Sequence, residues 1–122
     1  MRDVSRELGD DARLAVYGSL APGEENEREL ADLEGTWRHG VARGRLLDRG
    51  WGARIGFPAF VPDPAGEEVG VQVFESGDLP LHWARLDAFE GPGYTRIRVP
   101  VRCGDEVVVA WIYALAEESQ PR

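Results

Sequence analysis

The sequence predicts an α+β fold, a small mixed β-barrel of about six strands with flanking short helices. Three observations predict it. Apolar residues alternate with period two in several short runs, such as Val69, Val71 and Val73, and again Ile97, Val99 and Val101. Glycines interrupt other apolar runs, as at Gly40 and Gly44, which marks bends or bulges in strands. Two segments with helical spacing are interleaved with the strands, and short bent strands favour a barrel-like sheet over a doubly wound one.

The elements follow in order. Residues 1–12 are charged and weakly periodic and read as a flexible N-terminal arm, residues 13–116 as the folded domain and residues 117–122 as a polar tail. Arg13 to Tyr17 carries Leu14, Ala15 and Val16 in a row, a buried strand that ends in the turn-rich Gly18-Ser19-Leu20-Ala21-Pro22-Gly23. Glu24 to Leu33 has acidic residues early, then Leu30 and Leu33, consistent with a short helix. Trp37 to Asp48 gives one or two bent strands, and Trp51 to Pro64, rich in Gly and Pro, reads as a loop over a pocket. Glu68 to Glu75 is a strand. Asp78 is a candidate N-cap with Pro80 in the first turn, and Leu79, Trp83, Leu86 and Phe89 then form one buried stripe, with Glu90 just past it. Ile97 to Val101 is a half-exposed strand, and Val107 to Leu115, apolar on both faces, a central one.

Length and composition narrow the function. A chain of 122 residues with 43% hydrophobic content supports one packed domain. It has neither an apolar run of membrane-spanning length nor a signal-peptide core at its start. A single cysteine, Cys103, gives no disulfide framework and no multi-cysteine zinc site, and together these features point to the cytoplasm. A net charge of -8 argues against nucleic acid or anionic lipid as partner. All 14 basic residues are arginine, which removes Schiff-base chemistry and the lysine of a P-loop. His39 and His82 have no ligand spacing, and no cofactor or metal is expected.

Two segments carry candidate chemistry. In Leu86-Asp87-Ala88-Phe89-Glu90-Gly91-Pro92-Gly93-Tyr94, Glu90 sits at a helix C-terminus, where the helix dipole and any burial raise a carboxylate's pKa. Gly91 can adopt the left-handed conformation that ends a helix, and the turn can fold Tyr94 back beside Glu90. The competing reading is a solvated helix end and an ordinary structural hydrogen bond. In Tyr17-Gly18-Ser19-Leu20, a buried strand runs into a glycine and a small hydroxyl residue, whose backbone N–H groups can cradle a carboxylate. Here the competing reading is a strand-ending turn. Asp87 reads as an outward helix residue.

Together the two segments resemble the γ-glutamylcyclotransferase-like superfamily. Tyr17-Gly18-Ser19-Leu20 is similar to its Tyr-Gly-Ser/Thr-Leu signature, and Leu86 to Gly91 with Tyr94-Thr95-Arg96 is similar to its Leu-Asp-x-Phe-Glu-Gly…Tyr-x-Arg segment. Gly44 to Gly50, Phe57-Pro58-Ala59, Val69-Gly70-Val71 and Ala110 to Tyr113 extend the likeness over roughly Leu14 to Leu115. The resemblance implies a small barrel whose signature loop holds the α-carboxylate of a γ-glutamyl group. It implies that Glu90 is the base, taking a proton from the α-amine as that amine attacks the γ-carbonyl and releases 5-oxoproline. Tyr17, Gly18, Ser19, Leu20, Tyr94 and Tyr113 would bind the substrate, and Glu90 would be mostly enclosed. The partner implied is a small γ-glutamyl amine or amino acid rather than glutathione, handled by a monomer or homodimer. Gly23-Glu24-Glu25-Asn26 departs from the glycine–polar–asparagine sequence of some γ-glutamylamine-specific relatives. Two alternatives stand beside this reading: a non-catalytic small-carboxylate-binding module of the same fold, and an interaction protein anchored by Trp37 or Trp51, residues that otherwise fill the barrel core.

Overall fold

The computed structural model describes residues 9–17, 28–47 and 59–115. Strands β1 (Arg13–Val16), β2 (Thr36–Leu47), β3 (Ala59–Pro62), β4 (Glu67–Glu75), β5 (Tyr94–Cys103) and β6 (Glu106–Leu115) form one mixed sheet. Neighbours run β1-β4-β2-β3-β6, and a parallel β1–β6 pairing closes that ring into a five-stranded barrel. The extra strand, β5, runs antiparallel along β6 from Tyr94↔Leu115 to Cys103↔Glu106 and touches β2 at Val41↔Arg102. Two short helices, α1 (Arg28–Ala31) and α2 (Trp83–Glu90), accompany the barrel, with a single 3-10 turn (Leu79–Leu81) leading into α2. Among the described residues no helix is long and apolar enough to cross a membrane.

The alternation seen in sequence sorts side chains into two packed layers. Inside the barrel lie Ala15, Phe60, the valines of β4, Val99, Val101 and Cys103 of β5, and Val108, Ala110, Ile112 and Ala114 of β6. Outside it, Leu14 and Val16 of β1, Phe74 and Tyr113 pack under Leu30, Leu33, Leu79, Trp83 and Leu86. Strand β1 is therefore buried on both faces, as its unbroken apolar run predicts. Strand β6 is central, yet its outer face is covered only toward its end: Val107 is 63% exposed.

Several expectations change. The loop expected over residues 51–64 contains a strand at Ala59–Pro62, where Ala59, Phe60 and Val61 are all buried and Phe60 pairs with Ala114. Residues 51–58 lie outside the described residues. Residues Asp10–Ala12, within the expected arm, form a 3-10 turn, and Ala12 is buried. Asp78 makes no capping bond; its Oδ2 instead accepts from the Glu34 N–H at 3.0 Å. The three described tryptophans do not fill the barrel. Trp37 stacks on Phe74 outside it, with ring centroids 4.8 Å apart, and Trp83 and Trp111 belong to the same outer layer; Trp51 is outside the described residues.

The helical stripe is also revised. Phe89 is 39% exposed, while Glu90 is half-buried. Leu79, Trp83 and Leu86 are buried as expected, but two successive steps of three, from Trp83 to Leu86 to Phe89, drift off one helix face. Counted from Trp83, the buried face takes Leu86 and then Glu90, at i+3 and i+7.

Gly44 is the tightest strand–strand approach in β2. A Cβ there would fall 2.5 Å from both the Phe60 ring and the Val61 carbonyl oxygen. Gly44→Ala should therefore destabilise the fold by about 1–3 kcal/mol through overpacking, read as a lower urea midpoint with an unchanged m-value.

Candidate functional site

Four of the residues singled out in the sequence meet at one end of the barrel, where β1 and β6 end and β3 and β5 begin. Tyr17 follows the last residue of β1. Its hydroxyl donates to the main-chain oxygen of Tyr113 on β6 at 2.5 Å and accepts from the N–H of Phe60 on β3 at 3.0 Å. Its ring packs on Phe60, centroids 5.8 Å apart. Burial, with smaller contributions from Tyr94 and Glu90, pushes the Tyr17 phenol far above its ordinary value, so it stays protonated.

Glu90 enters this cluster as the last residue of α2. Burial lifts its carboxyl from 4.5 to about 7. It lies near enough to Tyr17 and Tyr113 for its charge to act on both phenols. The cause is desolvation; Glu90 shares the buried face with Trp83 and Leu86. A carboxyl poised near neutrality can both take and return a proton at working pH.

The chain after Glu90 is fixed by Gly91. Its N–H donates to the Asp87 carbonyl at 3.1 Å, and its φ of 83° with ψ of -178° lies in a region open essentially to glycine alone. The positive φ is as expected, but the extended ψ sends the chain outward rather than into a left-handed cap. The Tyr94 N–H closes the turn onto the Gly91 carbonyl at 3.3 Å. Tyr94 then falls on the Arg96 side of β5, as strand alternation requires, and packs with the outer layer and with Ala59, Val61 and Leu115. It still reaches the electrostatic neighbourhood of Tyr17, because the cluster lies at the barrel rim rather than in its interior.

Tyr113 has its hydroxyl engaged, donating to Asp87 Oδ1 at 2.7 Å. Burial, the bond to Asp87 and that carboxylate's charge raise the phenol's pKa well beyond its ordinary value. Asp87 opposes desolvation with bonds from Arg96 and Tyr113, which hold its carboxyl below the usual value. It is solvent-facing, as read from sequence, but it is not idle. Arg96 pairs with it through Nε at 2.8 Å and Nη2 at 3.3 Å. Alternation puts Tyr94 and Arg96 on one face of β5 and Trp111 and Tyr113 on one face of β6, but only the strand register sets Arg96 directly across from Tyr113. Gly18, Ser19 and Leu20 lie outside the described residues. A separate open groove of about 470 Å³, lined by Arg45, Leu46, Asp63, Ala65, Gly66 and Glu67, shares no residue with this cluster.

Comparison with known proteins places this geometry in context. The profile of the family described as Gamma-glutamyl cyclotransferase, AIG2-like matches residues 14–122. Among solved structures, an AIG2-like protein from Mus musculus is similar over 90% of this chain and 80% of its own, with 22% identity and a TM-score of 0.71. YkqA from Bacillus subtilis is similar over 85% of this chain at 27% identity and a TM-score of 0.66, but only 35% of its own length is covered. The uncharacterized protein PH0828 from Pyrococcus horikoshii covers 91% and 81%, at 21% identity and a TM-score of 0.62. No curated protein sequence matches significantly.

Tyr17→Phe should cost about 1–3 kcal/mol of stability, because it strands the Phe60 N–H and removes the bond to Tyr113 at the barrel seam. Equilibrium urea denaturation of the two proteins measures it.

Proposed function

The chain belongs to the gamma-glutamyl cyclotransferase, AIG2-like family, and we propose that it converts a small γ-glutamyl amine or γ-glutamyl amino acid to 5-oxoproline and the free amine, with Glu90 as the base. The observation that carries this reading is a half-buried carboxyl raised to about 7 at the end of a barrel, beside Tyr17 and Tyr113. A pocket that only bound a carboxylate would have no use for an unneutralised acid there.

In this reaction the substrate's α-amine attacks its own γ-carbonyl carbon. A new C–N bond closes the five-membered lactam, and the bond from the γ-carbon to the leaving nitrogen breaks. Glu90 takes the proton that the attacking nitrogen loses and delivers one to the departing amine. The nucleophile belongs to the substrate, so the protein's tasks are to fold it into attack geometry and to move one proton. Positioning of this kind is worth up to about 7–11 kcal/mol in the best intramolecular reactions. The proposed positions for the α-carboxylate are the backbone N–H groups of Gly18, Ser19 and Leu20, which follow Tyr17 directly. Tyr17, Tyr94 and Tyr113 would line the pocket, Tyr94 supplying a ring face and Tyr17 holding the strand end from which the loop departs.

The test is 5-oxoproline release from a panel of γ-glutamyl amines, γ-glutamyl amino acids and glutathione. Glu90→Gln should lower kcat by about 10²–10⁴-fold with the fold intact. Absence of product with wild-type protein on the whole panel would overturn the assignment. Recovery of a bound γ-glutamyl compound unchanged would then favour the non-catalytic binding module.

Glu90 also sets a pH dependence whose sign is fixed. The base acts as carboxylate, so kcat/KM should rise with pH through about 7 and then level. Stability runs the other way. A carboxyl with a raised folded-state pKa contributes fully below about 4.5 and loses that contribution as pH rises through about 7. Glu90→Gln should thus be more stable than wild type above pH 7, by at most about 3 kcal/mol, and the difference should vanish near pH 4. Thermal melts across that range check both limbs.

A further inference from the structure

We propose that Asp87, Arg96 and Tyr113 form a positioning device that fixes the end of α2, and with it Glu90, against the barrel rim. This rests on the reading of Glu90 given above and adds residues that reading does not use.

The device is built from three elements. Asp87 Oδ1 accepts from Arg96 Nε at 2.8 Å and from the Tyr113 hydroxyl at 2.7 Å, and Oδ2 accepts from Arg96 Nη2 at 3.3 Å. The Arg96 guanidinium lies 4.3 Å from the ring centroids of both Trp83 and Trp111. Those rings are fixed in turn, since both indole N–H groups donate to Asp11 at 3.0 Å, Trp83 to its main-chain oxygen and Trp111 to its carboxylate. Trp83 lies one turn before Asp87 on α2, and Glu90 one turn after it. The helix is thus tied to β5 and β6 at two successive turns, and Glu90 follows the second tie directly.

The same tie reaches the rest of the cluster. Tyr113 binds Asp87 through its hydroxyl and Tyr17 through its main-chain oxygen, and Tyr17 binds Phe60. One chain of bonds therefore runs from the helix of Glu90 across β6 and β1 to β3. An isolated surface ion pair has little effect. This one is bidentate, stacked on two rings and shared with a phenol, and so it defines a position as well as adding attraction. Asp87 faces solvent and the Tyr113 hydroxyl is spent on Asp87, so these two groups act through the position of Glu90; the pocket-lining part proposed for Tyr113 belongs to its ring, which Tyr113→Phe keeps.

The test compares Asp87→Ala, Asp87→Asn, Tyr113→Phe and the Asp87→Ala/Tyr113→Phe double variant in full-length protein. Steady-state kinetics use the best γ-glutamyl substrate, and NMR follows the Glu90 carboxyl titration. Asp87→Ala should lower kcat about 10–100-fold with KM changed less than about threefold. Asp87→Asn, which keeps an acceptor for Tyr113, should recover part of the loss. The double variant should be no worse than Asp87→Ala, because the Tyr113 hydroxyl acts through Asp87. The Glu90 titration, about 7 in wild type, should fall toward 4.5 in Asp87→Ala as water reaches a loosened helix end. The groups facing Glu90 that would also report are Tyr17 from β1 and Tyr113 from β6.

Wild-type kcat in Asp87→Ala, or losses that add in the double variant, would overturn the proposal and leave Glu90's role standing. If wild type makes no 5-oxoproline, the functional reading fails instead. The Glu90 titration then decides the positioning claim alone, and an unchanged value in a folded Asp87→Ala or Asp87→Asn protein overturns it.

Discussion

The parallel pairings that close the barrel are thin. Strand β1 meets β6 at Leu14↔Trp111 and Ala15↔Ile112, and β3 meets β6 at Phe60↔Ala114. Beyond them the backbone ladder offers little, and the hydroxyl of Tyr17 takes over as the connection. It donates to the carbonyl at 113 and accepts from the N–H at 60, joining β1 to both strands across the position of Ala114. A phenol suits this role because it gives one proton and takes another bond at the same atom. Its raised pKa keeps that donor present at any working pH. The candidate cluster lies at this seam, with Tyr17 and Tyr113 joined directly by that bond.

Two carboxylates one helical turn apart meet opposite fates here. Asp87 faces outward, receives Arg96 and the Tyr113 hydroxyl, and is held ionised. Glu90 faces the barrel, is desolvated, and is held near neutrality. Burial raises the pKa of Glu90, while Arg96 and the Tyr113 hydroxyl outweigh desolvation at Asp87. Under the proposed function, environments that push two neighbouring acids apart in this way give them different roles: Asp87 as a fixed charge for docking, Glu90 as the group that exchanges a proton.

Most of the barrel was legible because period-two alternation depends only on which face of a strand meets the core. Strands β4 and β5 follow it directly, while β1 and β6 stand out as apolar runs buried on both faces over part or all of their length. Strand β3 was not legible, since four residues beside prolines are too short to show a period and their burial comes from Phe60 entering a core built by distant strands. Glu90 and Tyr94 both lie near enough to act on Tyr17, and Gly91-Pro92-Gly93 keeps them close along the chain. Phe89 was misplaced because steps of three from Trp83 drift off the buried face, whereas the 3.6-residue period returns to it at Glu90. The part played by Asp87 required knowing that Arg96 and Tyr113 face each other across two strands, a matter of register rather than sequence.

The interior of the barrel explains why chemistry belongs at the rim. Phe60, Ile112, Val71, Val73 and Val101 are fully buried there, and the other buried inward positions are filled by alanine, valine and Cys103. The interior leaves no space for a substrate, and under the proposed reaction the substrate binds where the strands end. The segments at 18–27 and 48–58 join the described strands at Tyr17 and just before Ala59, next to the Tyr17–Phe60 bond. A core this closely filled resists change in volume, whereas connecting segments tolerate it. Under the proposed reaction, the choice of leaving group can then vary through those segments while Tyr17, Asp87 and Glu90 keep the proton-transfer geometry constant.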